Sequence, residues 1–137
     1  MNHSPILWPV LAQVLLTAVV WVRMFTARVA EMRARRIKPQ EVATSRAIAE
    51  KLQNTQAADN FRNLFEVPVL FYAVCAMLVA IDAVTTPQLV LAWLFVGLRC
   101  AHSVIQLTYN RVMHRFGVYL ASTLCVFGMW ALLAARL

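Results

Sequence analysis

Four long apolar runs, residues 6–22, 64–81, 89–107 and 118–135, leave this chain few ways to fold. Each is close to the roughly 20 residues a helix needs to cross the hydrocarbon core of a bilayer. A soluble domain of 137 residues has too little interior to hide all four, because small domains leave much of their chain at the surface. Hydrophobic side chains make up 61% of the total, against roughly 45–50% in soluble domains, so lipid is the expected solvent. Strands fit poorly: period-two alternation is absent, and an open sheet in lipid would leave backbone groups unpaired. The expected fold is all-α, an integral membrane four-helix bundle. Residues 1–137 form one four-span domain with a basic loop at about 27–60.

Charge gives the expected orientation. Of 13 Lys and Arg residues, nine (Arg23, Arg28, Arg33, Arg35, Arg36, Lys38, Arg46, Lys51, Arg62) lie between the first and second runs and two (Arg111, Arg115) between the third and fourth. The positive-inside bias then makes the basic loops cytoplasmic and puts both termini outside the cytoplasm. The same bias accounts for the net charge of +7, so nucleic acid is not an expected partner and anionic membrane lipids are. No Lys or Arg precedes the first run, which argues against a cleavable leader. Cys75, Cys100 and Cys125 fall one in each of the last three runs and read as packing residues rather than a disulfide framework. His3, His102 and His114 form no His-x-x-x-His pair, and no metal site is expected.

The polar stretch between the first two runs is organised by its breakers. Pro39 should interrupt any helix continuing from the first run. Residues 40–53 then offer Val42, Ile48, Ala49 and Leu52 as a weak apolar face for a short interfacial helix. Asn54-Thr55-Gln56 supplies capping chemistry for a helix that runs through Ala57-Ala58 into the second span.

Polar residues in and beside the spans carry the candidate chemistry. Arg62, Asn63 and Glu66 stand at the mouth of the second run, with Asn63 and Glu66 sharing a face. Arg99, His102 and Gln106 follow i, i+3, i+7 on one stripe of the third, and Arg111, Arg115 and Tyr119 lead into the fourth. Headgroup anchoring explains the outer arginines, and a structural Glu66–Arg99 pair would explain that couple. Arg99 and His102 are harder to explain so simply, because a charge within apolar sequence costs about 2.5–3.5 kcal/mol and usually faces a bundle interior or a wet cavity. Several Arg side chains with one Glu and one Asn suit a small ligand bearing carboxylates and an ammonium group. If that ligand carries a thiol, a neighbouring Arg favours the reactive thiolate.

The segment Asn60-Phe-Arg-Asn-Leu-Phe-Glu-Val-Pro-Val-Leu-Phe-Tyr72, followed by Arg99-Cys-Ala-His102 and Arg111-Val-Met-His-Arg115, resembles the MAPEG family of membrane-associated proteins in eicosanoid and glutathione metabolism. The resemblance, to bacterial-type members, implies four helices per subunit in the bacterial inner membrane, a homotrimer, and glutathione held between subunits. It assigns Arg62, Asn63, Glu66, Arg99, His102, Arg111 and Tyr119 to glutathione recognition and its surround, and Arg115 to activation of the thiol. It also calls for an Arg from the first helix, for which Arg23 and Arg28 both qualify.

Three positions depart from that pattern. Asp59 stands where an Arg is expected, Gln106 where a Tyr is expected, and Phe116 in place of a hydroxyl residue beside Arg115. An acidic Asp59 repels a ligand carboxylate unless a loop arginine neutralises it. Two functions follow: a glutathione-dependent transferase or peroxidase acting on lipophilic small molecules, or a non-catalytic membrane module that binds lipid or a partner through the same cluster. A small drug transporter is not expected, since the first run holds no carboxylate.

Overall fold

A computed structural model describes residues 4–136, and His3 lies outside them. The chain folds as α1 (Leu7–Ala34), a 3-10 helix (Pro39–Val42), α2 (Ser45–Lys51), α3 (Gln56–Asn63), α4 (Val67–Ala80), α5 (Thr86–Leu107) and α6 (Val112–Ala134). Strands do not occur among the described residues. Four helical stretches are long and apolar enough to cross a membrane: α1, α3 with α4 taken as one span, α5 and α6. This is an integral membrane protein.

The first helix runs well past its apolar segment, to Ala34, and Pro39 opens the 3-10 turn rather than kinking it. The interfacial helix expected over residues 40–53 is shorter, confined to α2, with Thr44 accepting a hydrogen bond from the Ala47 N–H at 3.2 Å. Leu52 from the expected apolar face is buried, whereas Ala49 is exposed.

The second span is broken. Sequence alone suggests one helix from Ala57 onward, but α3 stops at Asn63 and α4 begins at Val67. Pro68 is the cause: it has no N–H to offer the residue 64 carbonyl, and its ring clashes with that carbonyl in a continuous helix. At the other end of the polar loop, the Glu31 carboxylate accepts the backbone N–H groups of Gln53 at 2.7 Å and Asn54 at 3.1 Å. That contact ties the foot of α1 to the start of α3.

Connections turn without glycine. The three glycines (Gly97, Gly117, Gly128) all lie within spans, and the positive φ angles fall on Arg36, Asp82 and Asn110. Asp and Asn tolerate that region through their short polar side chains.

Packing is apolar on both faces of the bundle wall, which suits a lipid surround. A core of Phe71, Val74, Leu78, Phe95, Val126 and Met129 is fully buried, with Phe71 and Phe95 stacked at 4.5 Å. α5 pairs most extensively with α6. Large side chains such as Trp8, Leu15, Phe25, Leu124 and Phe127 are exposed. Their contact with acyl chains costs nothing comparable to contact with water. At the end of the bundle holding the α4–α5 turn, the Arg136 guanidinium donates to the Ala83 carbonyl at 2.7 Å.

Candidate functional site

The break at residues 64–66 frees backbone groups that a continuous helix would pair, and α5 answers one of them. Arg99, fully buried, donates from Nη2 to the Asn63 carbonyl at 2.7 Å. Its guanidinium carbon also sits 5.8 Å from the centroid of the Tyr119 ring, within cation–π range. α3 and α5 are then joined by two parallel rungs. Ser103 Oγ donates to Asn60 Oδ1 at 3.2 Å, and Asn63 Nδ2 donates to Gln106 Oε1 at 3.2 Å. Both helices place these residues three apart, on one face.

Above the rungs is a pocket of 230 Å³ lined by Asn63, Glu66, His102, Arg115 and Tyr119. Val112 and Phe116 complete its wall. The residues come from α3, the break, α5 and α6, so the site exists only when the bundle is assembled. His102 is buried with its ring centroid 6.0 Å from that of Tyr119. Its Nδ1 has no hydrogen-bond partner among the described residues. Arg115 is held from behind: its Nη1 donates to Asn110 Oδ1 at 2.9 Å.

Not every candidate reaches the pocket. Arg62 points away from it, its side chain 75% exposed and 3.9 Å from Asp59. That contact sets a loop arginine beside Asp59. Arg111 is exposed at the N-cap of α6 and Arg99 lies behind the wall, so neither lines the pocket. From the first helix, Arg23 is exposed, and Arg28 lines a separate small crevice with Leu52, Asn54 and Thr55. Glu66 and Arg99 form no ion pair among the described residues; the Asn63 carbonyl takes the place of the expected carboxylate.

Sequence reasoning missed Asn110, Asn60 and Ser103 as members of the site. The Asn110–Arg115 contact spans five residues across a turn and follows no helical spacing. The matched three-residue spacings of Asn60 with Asn63 and Ser103 with Gln106 were a usable signal. Among the described residues no group of three His, Cys, Asp or Glu side chains is placed to hold a metal ion.

The model of the MAPEG family matches residues 6–135, nearly the whole chain. Neither the curated proteins nor the solved structures give a match.

Proposed function

We propose, from the premise that this chain belongs to the MAPEG family, that the pocket binds glutathione and activates its thiol for attack on lipophilic electrophiles arriving through the bilayer. One observation carries this reading: Asn63, Glu66, His102, Arg115 and Tyr119, spread over 57 positions of sequence, line a single pocket. The chemistry of that lining suits the ligand. Glu66 and Asn63 offer acceptors for an ammonium group, and Arg115 and the buried His102 offer donors for carboxylate or thiolate.

In the transferase reaction, Arg115 stabilises the thiolate as its proton leaves to solvent. The sulfur then forms a C–S bond with the electrophile, and the leaving group departs with the bonding pair. In the peroxidase variant the thiolate attacks a hydroperoxide oxygen and expels an alcohol. The resulting sulfenate takes up a proton, and a second glutathione thiol attacks the sulfenic acid sulfur to give the disulfide and water.

The pocket volume of 230 Å³ is below the roughly 300–1,000 Å³ of small-molecule sites. A homotrimer in which a neighbour closes the open side, with Arg23 or Arg28 as the added cation, supplies the remainder. With the basic loops cytoplasmic in the bacterial inner membrane, the pocket opens near the cytoplasmic headgroups.

The engaged amides favour a second reading. Asn63 already bonds Gln106, and Arg62 already pairs with Asp59, as they would in a non-catalytic module whose polar cluster serves assembly. Adding glutathione to the purified protein and recording thiolate absorbance separates the two. Thiolate formation with ligand-dependent thermal stabilisation, about 2.7 kcal/mol at 100 times the dissociation constant, is the expected result. Neither signal over a wide concentration range leaves the non-catalytic module.

A further inference from the structure

The end of α1 is unusual in its choice of residue. The Ile37 N–H closes on the Met32 carbonyl at 2.9 Å and the Arg36 N–H on the Arg33 carbonyl at 3.3 Å, which sets Arg36 at φ 55. Helices usually put Gly or Asn at such a position, since other side chains crowd the carbonyl there. The turn brings Val29, Met32, Ile37 and Pro39 around an open trough of 430 Å³. Arg33, Arg36 and Lys38 line the same trough.

Among the described residues these three cations have no acidic partner. The loop region holds four acidic residues, and each is committed elsewhere: Glu31 to Arg35, Glu41 to Lys51, Glu50 to Arg46 and Asp59 to Arg62. An apolar floor beneath three uncompensated charges asks for a ligand that is anionic at one end and hydrocarbon at the other. Depth points the same way. Twenty-eight helical residues span about 42 Å against a hydrocarbon core of about 30 Å. With the first turn at one boundary of the core and an ordinary tilt of about 20°, the last turn stands about 4–8 Å past the opposite boundary, within the headgroup layer.

We propose that this trough binds one anionic phospholipid of the adjoining leaflet, its phosphate among Arg33, Arg36 and Lys38 and its upper acyl carbons on the apolar floor. The test is native mass spectrometry of the full chain in mild detergent, titrated with phosphatidylglycerol or phosphatidylcholine. The wild-type chain should retain phosphatidylglycerol in preference, and each cation removed should weaken retention about fivefold. Arg36→Gly removes a charge while suiting φ 55, and Arg33→Gln does so at a regular helical position, so loss in both cannot be blamed on a damaged turn. Arg46→Gln, at a side chain 90% exposed and already paired, should leave retention unchanged. Equal loss in Arg46→Gln would show diffuse attraction and overturn the site. So would equal retention of phosphatidylcholine, or full displacement of the lipid by glycerophosphate, which has no acyl chain.

Discussion

Arg115→Lys keeps a cation at the head of α6 but removes the fork that lets one side chain face two ways. In the native chain Nη1 is committed to Asn110 at 2.9 Å while the guanidinium lines the pocket. A lysine ammonium is a single point on a flexible stem: it can satisfy Asn110 or face a thiolate, and it fixes neither geometry. Ligand affinity, which draws on Glu66, Asn63 and His102 as well, should change little. The activated state should suffer far more. Losing a preoriented donor to developing negative charge costs about 2.7–4 kcal/mol, or roughly 10²–10³ in turnover.

Thiolate absorbance and conjugation of a generic electrophile measure the two effects separately. Arg46→Lys provides the contrast, because a headgroup anchor or surface ion pair accepts lysine without penalty. If Arg115→Lys retains wild-type thiolate formation and turnover, Arg115 is not the activating residue and the transferase assignment falls with it.

Four further outcomes are expected. Asn110→Gly keeps the left-handed backbone at φ 47 but drops the acceptor, so turnover should fall about tenfold while melting temperature holds; unchanged turnover would release Asn110 from any positioning role. In a background with the three native cysteines replaced by Ala, a cysteine at Gln53 should be protected from an impermeant thiol reagent in intact cells and one at Thr86 should label, and the reverse pattern would invert the topology. Native mass in mild detergent should give three chains, whereas a monomer that still binds glutathione would eliminate an intersubunit site. Glu41 accepts from Lys51 at 2.6 Å and from the Lys38 N–H at 3.0 Å, contacts that hold its carboxyl below the usual 4.5. A depressed folded pKa means this contribution is present above the unfolded value and is lost as pH falls through the folded one. Protease protection of the 38–51 loop should therefore fall slightly in acid, with Glu41→Gln showing the same small loss at neutral pH; a variant as protected as wild type would show that this ion pair does not order the loop.

The spans were legible because run length alone decides between lipid and a soluble core, and no tertiary detail can reverse that. The shape of the second span was not. Residues 64–81 read as one apolar stretch, with Pro68 near its start. Yet the bond Pro68 removes is four residues earlier, at residue 64, where the helix in fact breaks. The site was legible as a set of residue types at one membrane level but not as directions. Arg62 and Asn63 are adjacent in sequence and so diverge by about 100° around a helix: Asn63 enters the pocket while Arg62 turns out to Asp59. Which of the two faces inward is decided by α5, through Ser103 and Gln106, and a single-helix pattern carries no such information.

The broken helix and the buried arginine are best understood as one feature. Placing Arg99 within a span costs about 2.5–3.5 kcal/mol on insertion scales. Its charged hydrogen bond to the Asn63 carbonyl contributes about 1.5–3 kcal/mol, and its approach to the Tyr119 ring about 0.5–2 kcal/mol. Its Nε and Nη1 are buried with no partner among the described residues, a further cost, so neither stability nor insertion explains why the residue is there. What the pair achieves is placement. The break at Pro68 puts Asn63 and Glu66 beside the pocket instead of along a continuous helical face, and Arg99 holds the loosened backbone against α5 at the membrane's edge. Irregular backbone at that depth is tolerated where protein groups re-satisfy it or where it lines a cavity, and here both conditions meet at residues 63–66.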